Sequence, residues 1–194
     1  MTARQLKARI VKKTPLHEGF LKLYKYQFEV EAHDSTTRQI TWELMERGNS
    51  VAVLGHDPNR DEIVLGKEFR PGAMVTGDYP YLENLIAGVI ENNESPIDAA
   101  VREMQEEAGL VLRNPVLIHP GAYVSSGGTS EKIALVYGTV DTSAAGGVHG
   151  TDESEDILSV IQPAQVFIDR VYRGEINDLK TLVAGYWLAA RRQR

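Results

Sequence analysis

Apolar and polar residues alternate through the first third of the chain. In segment 20–32 the apolar side chains fall on one face of a strand, and charged or amide side chains fall on the other. The apolar face comprises Tyr24, Tyr26, Phe28 and Val30. A polar turn at 33–36 leads into a second strand-like segment, 37–45, which predicts an antiparallel hairpin. Because two or three strands alone are marginally stable in water, we expect this N-terminal β unit, residues 1–46, to pack on the main domain or on a second subunit.

After residue 46, short strand patterns are mixed with helix patterns. The strands are predicted at 50–54, 62–69, 82–87, 116–118 and 133–140, and loops at 70–80 and 144–156. The helices are predicted after Ser95, at 162–172 and at 179–192. Strands with flanking helices predict an α/β fold for residues 47–194, arranged as an α/β/α sandwich.

Composition and charge exclude several classes of protein. The length of 194 residues indicates one main domain with a small appendage, and the net charge of −6 argues against a nucleic-acid surface. The absence of cysteine excludes disulfides, thiolate metal sites and cysteine nucleophiles. No apolar run approaches the roughly 18 residues of a membrane helix, and residues 1–13 lack the apolar core of a signal peptide. We therefore expect a cytoplasmic protein with no membrane or nucleic-acid partner.

Residues 88–110 contain a helix whose two ends are marked. Ser95 is placed as the N-cap, Pro96 occupies the first helical position, and Asp98 follows three residues after the cap. Gly109 is placed as a left-handed C-cap. The helix boundaries are therefore predicted from the sequence alone.

This helix carries three carboxylates on one face. Glu103, Glu106 and Glu107 are spaced i, i+3 and i+4, so their charges repel one another unless a cation lies between them. Hard oxygen ligands suit Mg²⁺ or Mn²⁺. The alternative is a solvated acidic face followed by a glycine cap.

The spacing resembles the Nudix box, the motif of hydrolases that cut a nucleoside diphosphate linked to another group. The matching positions are Gly88, Glu94, Arg102, Glu103, Met104, Glu106, Glu107, Gly109 and Leu110. The resemblance implies a Nudix-type α/β/α sandwich with a mixed sheet. We expect Glu103 and Glu107 to be the main metal ligands, and Glu106 either to join them or to pair with Arg102. In the family, the backbone carbonyl before the box glycine, here Ala87, can complete the metal shell.

A second acidic cluster follows a glycine-rich stretch, at residues 152–156. It resembles the catalytic loop of the ADP-ribose pyrophosphatase subfamily, in which two glutamates separated by one residue act together. By position, this resemblance makes Glu153 the general base and Glu155 a further metal ligand. Without the resemblance, such a segment is more often a solvated loop.

Residues 125–131, SSGGTSE, resemble a Ser-Pro-Gly-Gly-Thr-Ser-Glu loop of the same subfamily. The resemblance implies that the backbone at Gly127 and Gly128 approaches phosphate or ribose, and that Glu131 accepts hydrogen bonds from sugar hydroxyls. Ser126 stands where the subfamily has a proline that marks ADP-ribose specificity.

Further candidates also come from resemblance. Arg70 occupies the position of an arginine that contacts the diphosphate, and Trp42 and Glu43 occupy positions at which the N-terminal unit reaches the nucleoside. For Trp42, ordinary packing in the sheet is the equal alternative. The chain departs from the family at Asn84, where a glutamate is common.

The resemblance to ADP-ribose pyrophosphatases of the Nudix family implies metal-dependent hydrolysis of ADP-ribose, or of a related nucleoside diphosphate sugar, to a nucleoside monophosphate and a sugar phosphate. Mg²⁺ is the expected cofactor, with Mn²⁺ as the alternative, and a homodimer is expected from the resemblance. One alternative is an enzyme acting on GDP-mannose or another nucleotide sugar. Another is a catalytically inactive Nudix domain that senses nucleotide sugars, and a plain interaction module is the third.

Overall fold

The computed structural model describes residues 5–151 and 155–193 and divides into two compact units. The N-terminal unit comprises the described residues up to Gly48 together with Tyr123–Lys132, and the main unit comprises those of Asn49–Ala122 and Ile133–Arg194. The strands are β1 (Ala8–Glu18), β2 (Lys22–Glu31), β3 (Thr37–Glu46), β4 (Ser50–Asp57), β5 (Glu62–Phe69), β6 (Tyr81–Asn84), β7 (Ile86–Val89), β8 (Arg113–Tyr123), β9 (Lys132–Thr139), β10 (Val148–His149) and β11 (Ile157–Pro163). The helices are α1 (Pro71–Thr76), α2 (Pro96–Ala108), α3 (Ala164–Tyr172) and α4 (Leu179–Arg192), with a 3₁₀ turn at Thr142–Ala144.

The N-terminal unit contains an antiparallel sheet in the order β1-β2-β3. The alternation predicted for β2 is visible in its burial, since Tyr26 is 6% exposed while its neighbours Lys25 and Gln27 are exposed. The strand β1 was not predicted. Almost all of its side chains are exposed, and its sequence does not alternate between apolar and polar residues as a half-buried strand does. It pairs along β2, with register shifts at Ile10/Lys12 and Pro15/His17.

The loop 123–132 belongs to the same unit through backbone hydrogen bonds to β3. The Met45 N–H donates to the Gly128 carbonyl at 2.9 Å, and the Ser130 N–H donates to the Met45 carbonyl at 3.1 Å. This sequence-distant loop is therefore fixed against β3 by main-chain contacts.

A mixed sheet forms the centre of the main unit, in the order β10-β11-β5-β4-β9-β8, with β6 paired to β5 and β7 paired to β4. The strands β4 and β9 are parallel. The strand β5 pairs antiparallel with β4 on one side and with β11 on the other. The single strand predicted at 82–87 is divided at Leu85 into β6 and β7, and the predicted loop at 70–80 contains the short helix α1.

Two apolar cores lie on opposite faces of this sheet. One core joins the sheet to α3 and α4, and includes Leu54, Leu65, Phe167 and Leu188. The other joins the sheet to α2. Its residues from the sheet and the helix include Val53, Val64, Ile86, Ala100 and Met104. The helices therefore cover both faces, and the predicted α/β/α sandwich with a mixed sheet is confirmed.

The ends of α2 agree with the sequence. The Ser95 hydroxyl accepts a hydrogen bond from the Asp98 N–H at 3.1 Å, and Gly109 adopts φ 67°, a left-handed cap. The Gly109 and Leu110 N–H groups donate to the carbonyls of Gln105 and Met104, which satisfies the end of the helix.

None of the helices in the described part of the chain is long and apolar enough to cross a membrane.

Candidate active site

The acidic face of α2 is buried against β7. Glu103 is 7% exposed and Glu107 is 8% exposed, although both are charged residue types. They lie beside Met104 and Ala108, which pack in the core between α2 and the sheet. A solvated acidic helix face, the alternative interpretation of the sequence, is excluded by this burial.

Gly88 leaves the space that Glu103 occupies. A methyl group added at the Gly88 α carbon would lie 1.8 Å from Glu103 Oε1, far inside van der Waals contact. Gly88 therefore leaves room beside β7 for the carboxylate of Glu103, and it is more than a turn residue.

Arg102 connects the carboxylates of the motif. Its Nε and Nη2 donate to the two oxygens of Glu94 at 2.9 and 3.0 Å, and its Nη1 donates to Glu103 Oε1 at 2.7 Å and Glu106 Oε2 at 2.9 Å. Nη2 also donates to the Val89 carbonyl at 3.0 Å. Of the two expectations for Glu106, pairing with Arg102 is the arrangement in the structure. Arg102 thereby fixes the direction of Glu103.

Glu107 is held at the strand by the Ala87 N–H, which donates to Glu107 Oε2 at 3.0 Å. Burial, and to a smaller extent the negative charges of Glu103 and Glu68, raise the pKa of Glu107 to about 8. Burial also raises the pKa of Glu103, although its hydrogen bond from Arg102 opposes the shift. The protein itself therefore supplies too little positive charge to keep the pKa of either carboxylate at its usual value.

Glu68, at the end of β5, was missed by the sequence reasoning. It forms an ion pair with Arg70, and its charge interacts with those of Glu107 and Glu155. Burial raises its pKa as well. The sequence did contain a signal for Glu68. Val64, Gly66 and Glu68 share the β5 face towards α2, and a carboxylate at the end of such a buried face is unusual. The pairing that brings it to Glu107 is long-range and could not be derived from spacing.

The structure therefore brings several predicted residues to one place in the main unit. They are Ala87, Arg102, Glu103, Glu106, Glu107, Arg70 and Glu155. Glu155 is nearby, but its Oε2 accepts hydrogen bonds from the N–H and hydroxyl of Thr151 at 2.8 and 2.9 Å. Glu153 lies outside the described residues.

The chemistry of these groups fits a divalent cation. Buried carboxylate oxygens with raised pKa values are hard ligands whose charged form a metal ion would stabilise. Within residues 5–151 and 155–193, no three acidic or histidine side chains are already arranged around one point. The oxygens of Glu103, Glu107 and Glu155 instead accept hydrogen bonds from Arg102, Ala87 and Thr151.

The other predicted residues lie in the N-terminal unit. The Trp42 indole N–H donates to the Gly127 carbonyl at 2.6 Å, while the side chain remains 53% exposed. The Gly128 carbonyl is bonded to β3. Trp42 thus supports the loop that contains Gly127 and Gly128, and its exposed ring surface is available for stacking.

Glu43 and Glu131 have different surroundings. Glu43 pairs with Lys25 at 3.8 Å on the face of β3 opposite to Trp42, because adjacent strand residues alternate. Glu131 is 8% exposed, and its carboxylate lies 3.6 Å from the Arg47 Nε. Arg47 was missed by the sequence reasoning, because its contact joins two residues that are far apart in the sequence.

Asn84 is 1% exposed, and neither polar atom of its side chain has a hydrogen-bond partner within the described part of the chain. It lies in β6 opposite Gly66. The structure offers no explanation for this unsatisfied amide.

The segment that contains α2 and β7 is similar to a known domain family. A model of the NUDIX domain matches residues 46–175, more than half of the chain. The fold and the motif are those of a pyrophosphatase, and the protein belongs to the Nudix family.

Two groups of relatives are informative. The chain is 36% identical over 188 residues to an ADP-ribose pyrophosphatase of Escherichia coli, covering 95% of this chain and 88% of the relative. It is 35% identical over 180 residues to an ADP-ribose pyrophosphatase of Haemophilus influenzae, covering 89% and 82%. It is also 26% identical over 179 residues to a GDP-mannose pyrophosphatase of Cronobacter sakazakii, covering 92% and 93%.

A solved structure named as an ADP compounds hydrolase has the same fold. Its TM-score is 0.73, with 18% sequence identity and coverage of 97% of this chain and 98% of that chain. The arrangement of strands and helices is therefore shared over almost the whole length.

Proposed function

We propose that this Nudix hydrolase cleaves the pyrophosphate bond of ADP-ribose or a closely related nucleoside diphosphate sugar. The observation that carries the proposal is the pair of nearly buried carboxylates, Glu103 and Glu107, on one turn of α2, with Arg70 in electrostatic range. The similarity to two ADP-ribose pyrophosphatases over most of the chain supports the choice of substrate.

The reaction adds water to one phosphorus, breaks the bond from that phosphorus to the bridging oxygen, and releases a proton. A divalent cation, which Nudix hydrolases generally need, would neutralise the phosphate oxygens and lower the pKa of water. Glu103, Glu107 and Glu155, with the Ala87 carbonyl, would hold it, and we propose Mg²⁺ as that ion, with Mn²⁺ as the alternative.

The remaining residues of the main unit have supporting roles. Arg102 keeps Glu103 and Glu106 in place through its hydrogen bonds. Arg70 would bind the diphosphate, since a guanidinium matches phosphate oxygens in geometry and charge. Glu153 would take the proton of the attacking water.

For the N-terminal unit, we propose contacts to the nucleoside and sugar. The exposed ring of Trp42 would stack on a base, and Glu43 would contact the nucleoside. The backbone at Gly127 and Gly128 would approach the ribose or phosphate, and Glu131 would accept hydrogen bonds from sugar hydroxyls. Residues 1–46 are proposed to form a homodimer contact, residues 47–194 the hydrolase domain, and the protein is proposed to act in the cytoplasm.

Product analysis in ¹⁸O-labelled water tests the reaction. Incubation with ADP-ribose and Mg²⁺ should give AMP and ribose phosphate, with the label in one product, which identifies the attacked phosphorus. The absence of both products with wild-type protein, under conditions where the substrate binds, would show a nucleotide-sugar sensor and contradict the proposal.

The second candidate substrate is GDP-mannose. It is favoured by the relatives named GDP-mannose pyrophosphatase and by Ser126, which stands at the subfamily's proline position. A substrate panel at equal concentration separates the two, because a larger kcat/KM for GDP-mannose than for ADP-ribose would reverse the order.

A further inference from the structure

On the side of α3 and α4, part of the main sheet is left uncovered by the helices of residues 5–151 and 155–193, since Val148 and Leu158 are exposed. The β5 residue Leu65 lies in the core with those helices, and Lys67, two residues further on, shares its face. Cross-strand pairing places Leu158 opposite Lys67 and Val148 opposite Leu158, so these side chains belong to the same face. An apolar sheet face that no helix covers is a candidate binding surface.

This face is concave. A cavity of about 310 Å³ is lined by Lys67, Tyr79, Tyr81, Val148, Asp156 and Leu158. That volume lies at the lower end of the range for small-molecule sites, and aliphatic and aromatic walls with few polar groups are typical of them.

The cavity lies on the opposite side of the sheet from the acidic face of α2. Lys67 and Glu68 are adjacent in β5, and adjacent residues of a strand point to opposite faces. Glu68 and Glu155 interact electrostatically with the carboxylates of α2. The cavity is therefore separate from the site described above.

Aromatic rings form one wall. The ring centroids of Tyr79 and Tyr81 lie 5.8 Å apart at 47°, and Phe69 packs edge-on against Tyr81 at 5.9 Å. Tyr79 is 67% exposed and Tyr81 is 46% exposed. Neighbouring tyrosines this exposed present ring surface on which a flat ligand can stack.

Charges of opposite sign complete the lining. The Lys67 ammonium lies 5.8 Å from the centre of the Tyr79 ring, and Asp156 contributes a carboxylate. An ammonium binds a phosphate as a point charge, and a carboxylate accepts hydrogen bonds from amine or hydroxyl donors. A ligand with a flat ring, a phosphate and donor groups satisfies all three parts.

We propose that this cavity is a binding site for a nucleoside monophosphate, with the base on the Tyr79 and Tyr81 rings, the phosphate at Lys67 and donor groups at Asp156. Sugar phosphates carry the same phosphate and hydroxyl groups but no aromatic base. The aromatic wall favours the nucleotide, because stacking of a base on an aromatic side chain is a large and sequence-tolerant contribution. The choice of AMP as the probe rests on the proposed function, whereas the binding itself does not require turnover.

The test is calorimetric titration of AMP into the full chain in EDTA, where hydrolysis cannot interfere. Tyr81→Leu and Lys67→Met should each weaken AMP binding by about tenfold or more, as the loss of a stacked base or a phosphate contact implies. Tyr172→Leu is the matched control, because Tyr172 is 60% exposed and pairs with Tyr186 at 5.5 Å on the helices. It should bind AMP as tightly as wild type does.

A second measurement does not depend on the variants. In methyl-labelled wild-type protein, AMP should shift the signals of Val148 and Leu158 and leave Val183, on α4 and 44% exposed, unchanged. Ribose phosphate should produce much weaker shifts.

Three results would overturn the proposal. AMP binding unaffected by Tyr81→Leu and Lys67→Met, with the Val148 and Leu158 signals unmoved, would show that the cavity takes no nucleotide. Equal affinity for ribose phosphate would show that the base is not recognised. Shifts of the same methyl signals with protein concentration alone would show that a second copy of the chain covers this face.

Discussion

Two buried carboxylates of the main unit differ in what the protein offers them. Asp57, at the end of β4 and 1% exposed, accepts hydrogen bonds from the Thr142 N–H and hydroxyl, each at 3.0 Å, and from the Asn59 N–H at 2.8 Å. These donors, the Thr142 N–H first, hold the pKa of Asp57 well below its usual range despite burial. Glu107, 8% exposed, accepts from the Ala87 N–H, and burial raises its pKa to about 8.

Burial alone does not make a carboxylate functional. Asp57 is charged and is satisfied by donors from its own turn and from the distant Thr142, so it stabilises the fold. Glu107 and its neighbour Glu103 are buried with too few donors, so their charged forms need a cation from outside the protein. The shortage of hydrogen-bond donors around Glu103 and Glu107 makes this part of α2 suited to metal-dependent chemistry.

The largest effect should come from Glu107→Gln. Loss of one charged ligand should lower kcat for ADP-ribose by at least about 10²–10³-fold, the usual scale for removing a group that stabilises transition-state charge. The thermal midpoint in EDTA should not fall, because the change replaces a buried and poorly satisfied carboxyl group with an amide of the same size. Glu29→Gln, at an exposed ion pair with Arg9 in the N-terminal unit, is the control and should leave kcat unchanged.

Gly88→Ala tests whether the position of Glu103 matters as much as its charge. The added methyl must displace the Glu103 carboxylate, so activity should fall by about 10²-fold, as a displacement of about 1 Å can cost. Circular dichroism should show a retained fold. Gly72→Ala, with nothing within 4 Å of the added methyl, should behave as wild type, and an active Gly88→Ala variant would break the assignment of Glu103.

Asp57→Asn should reverse the pattern, with loss of stability and little loss of intrinsic activity. An amide cannot accept all the hydrogen bonds that the carboxylate accepts, and the cost should be about 2–3 kcal/mol at pH 7 by urea unfolding. Saturating Mg²⁺ should leave kcat of the folded variant near wild type.

The pH dependence of this contribution has a definite sign. The folded pKa of Asp57 is depressed, so its contribution is fully present above the unfolded value of about 4 and is lost as pH falls towards the folded value. The difference in unfolding free energy between wild type and Asp57→Asn should therefore shrink between about pH 5 and pH 2. A constant difference across that range would contradict the role given to the charge.

The smallest effect should come from Trp42→Phe, at a polar contact that is exposed rather than buried. Loss of the indole donor to the Gly127 carbonyl should cost about 0.5–1.5 kcal/mol and speed hydrogen exchange at Gly128 and Ser130. Unchanged exchange in that loop would show that Trp42 does not support it.

Much of the α2 region could be predicted from the sequence because its determinants are local. The Ser95 cap, the Gly109 cap and the i, i+3, i+4 carboxylates are set by spacing along one helix. The N-terminal hairpin was likewise predicted by the alternation of β2.

The remaining features depend on contacts between distant segments. The hydrogen bond from Trp42 to Gly127 joins residues 85 positions apart, and the hydrogen bonds from Thr142 to Asp57 also span 85 positions. The position of Glu68 near Glu107 depends on which strands pair in the sheet. Spacing in a single sequence does not contain this information.

The most direct test of the account is Mn²⁺ titration of the wild type, Glu107→Gln and Asp57→Asn, followed by electron paramagnetic resonance. We expect the wild type and Asp57→Asn to bind Mn²⁺ with the same affinity, and Glu107→Gln to bind it at least about tenfold more weakly. Equal Mn²⁺ affinity in Glu107→Gln and the wild type would contradict the claim that the buried carboxylates of α2 hold the cation.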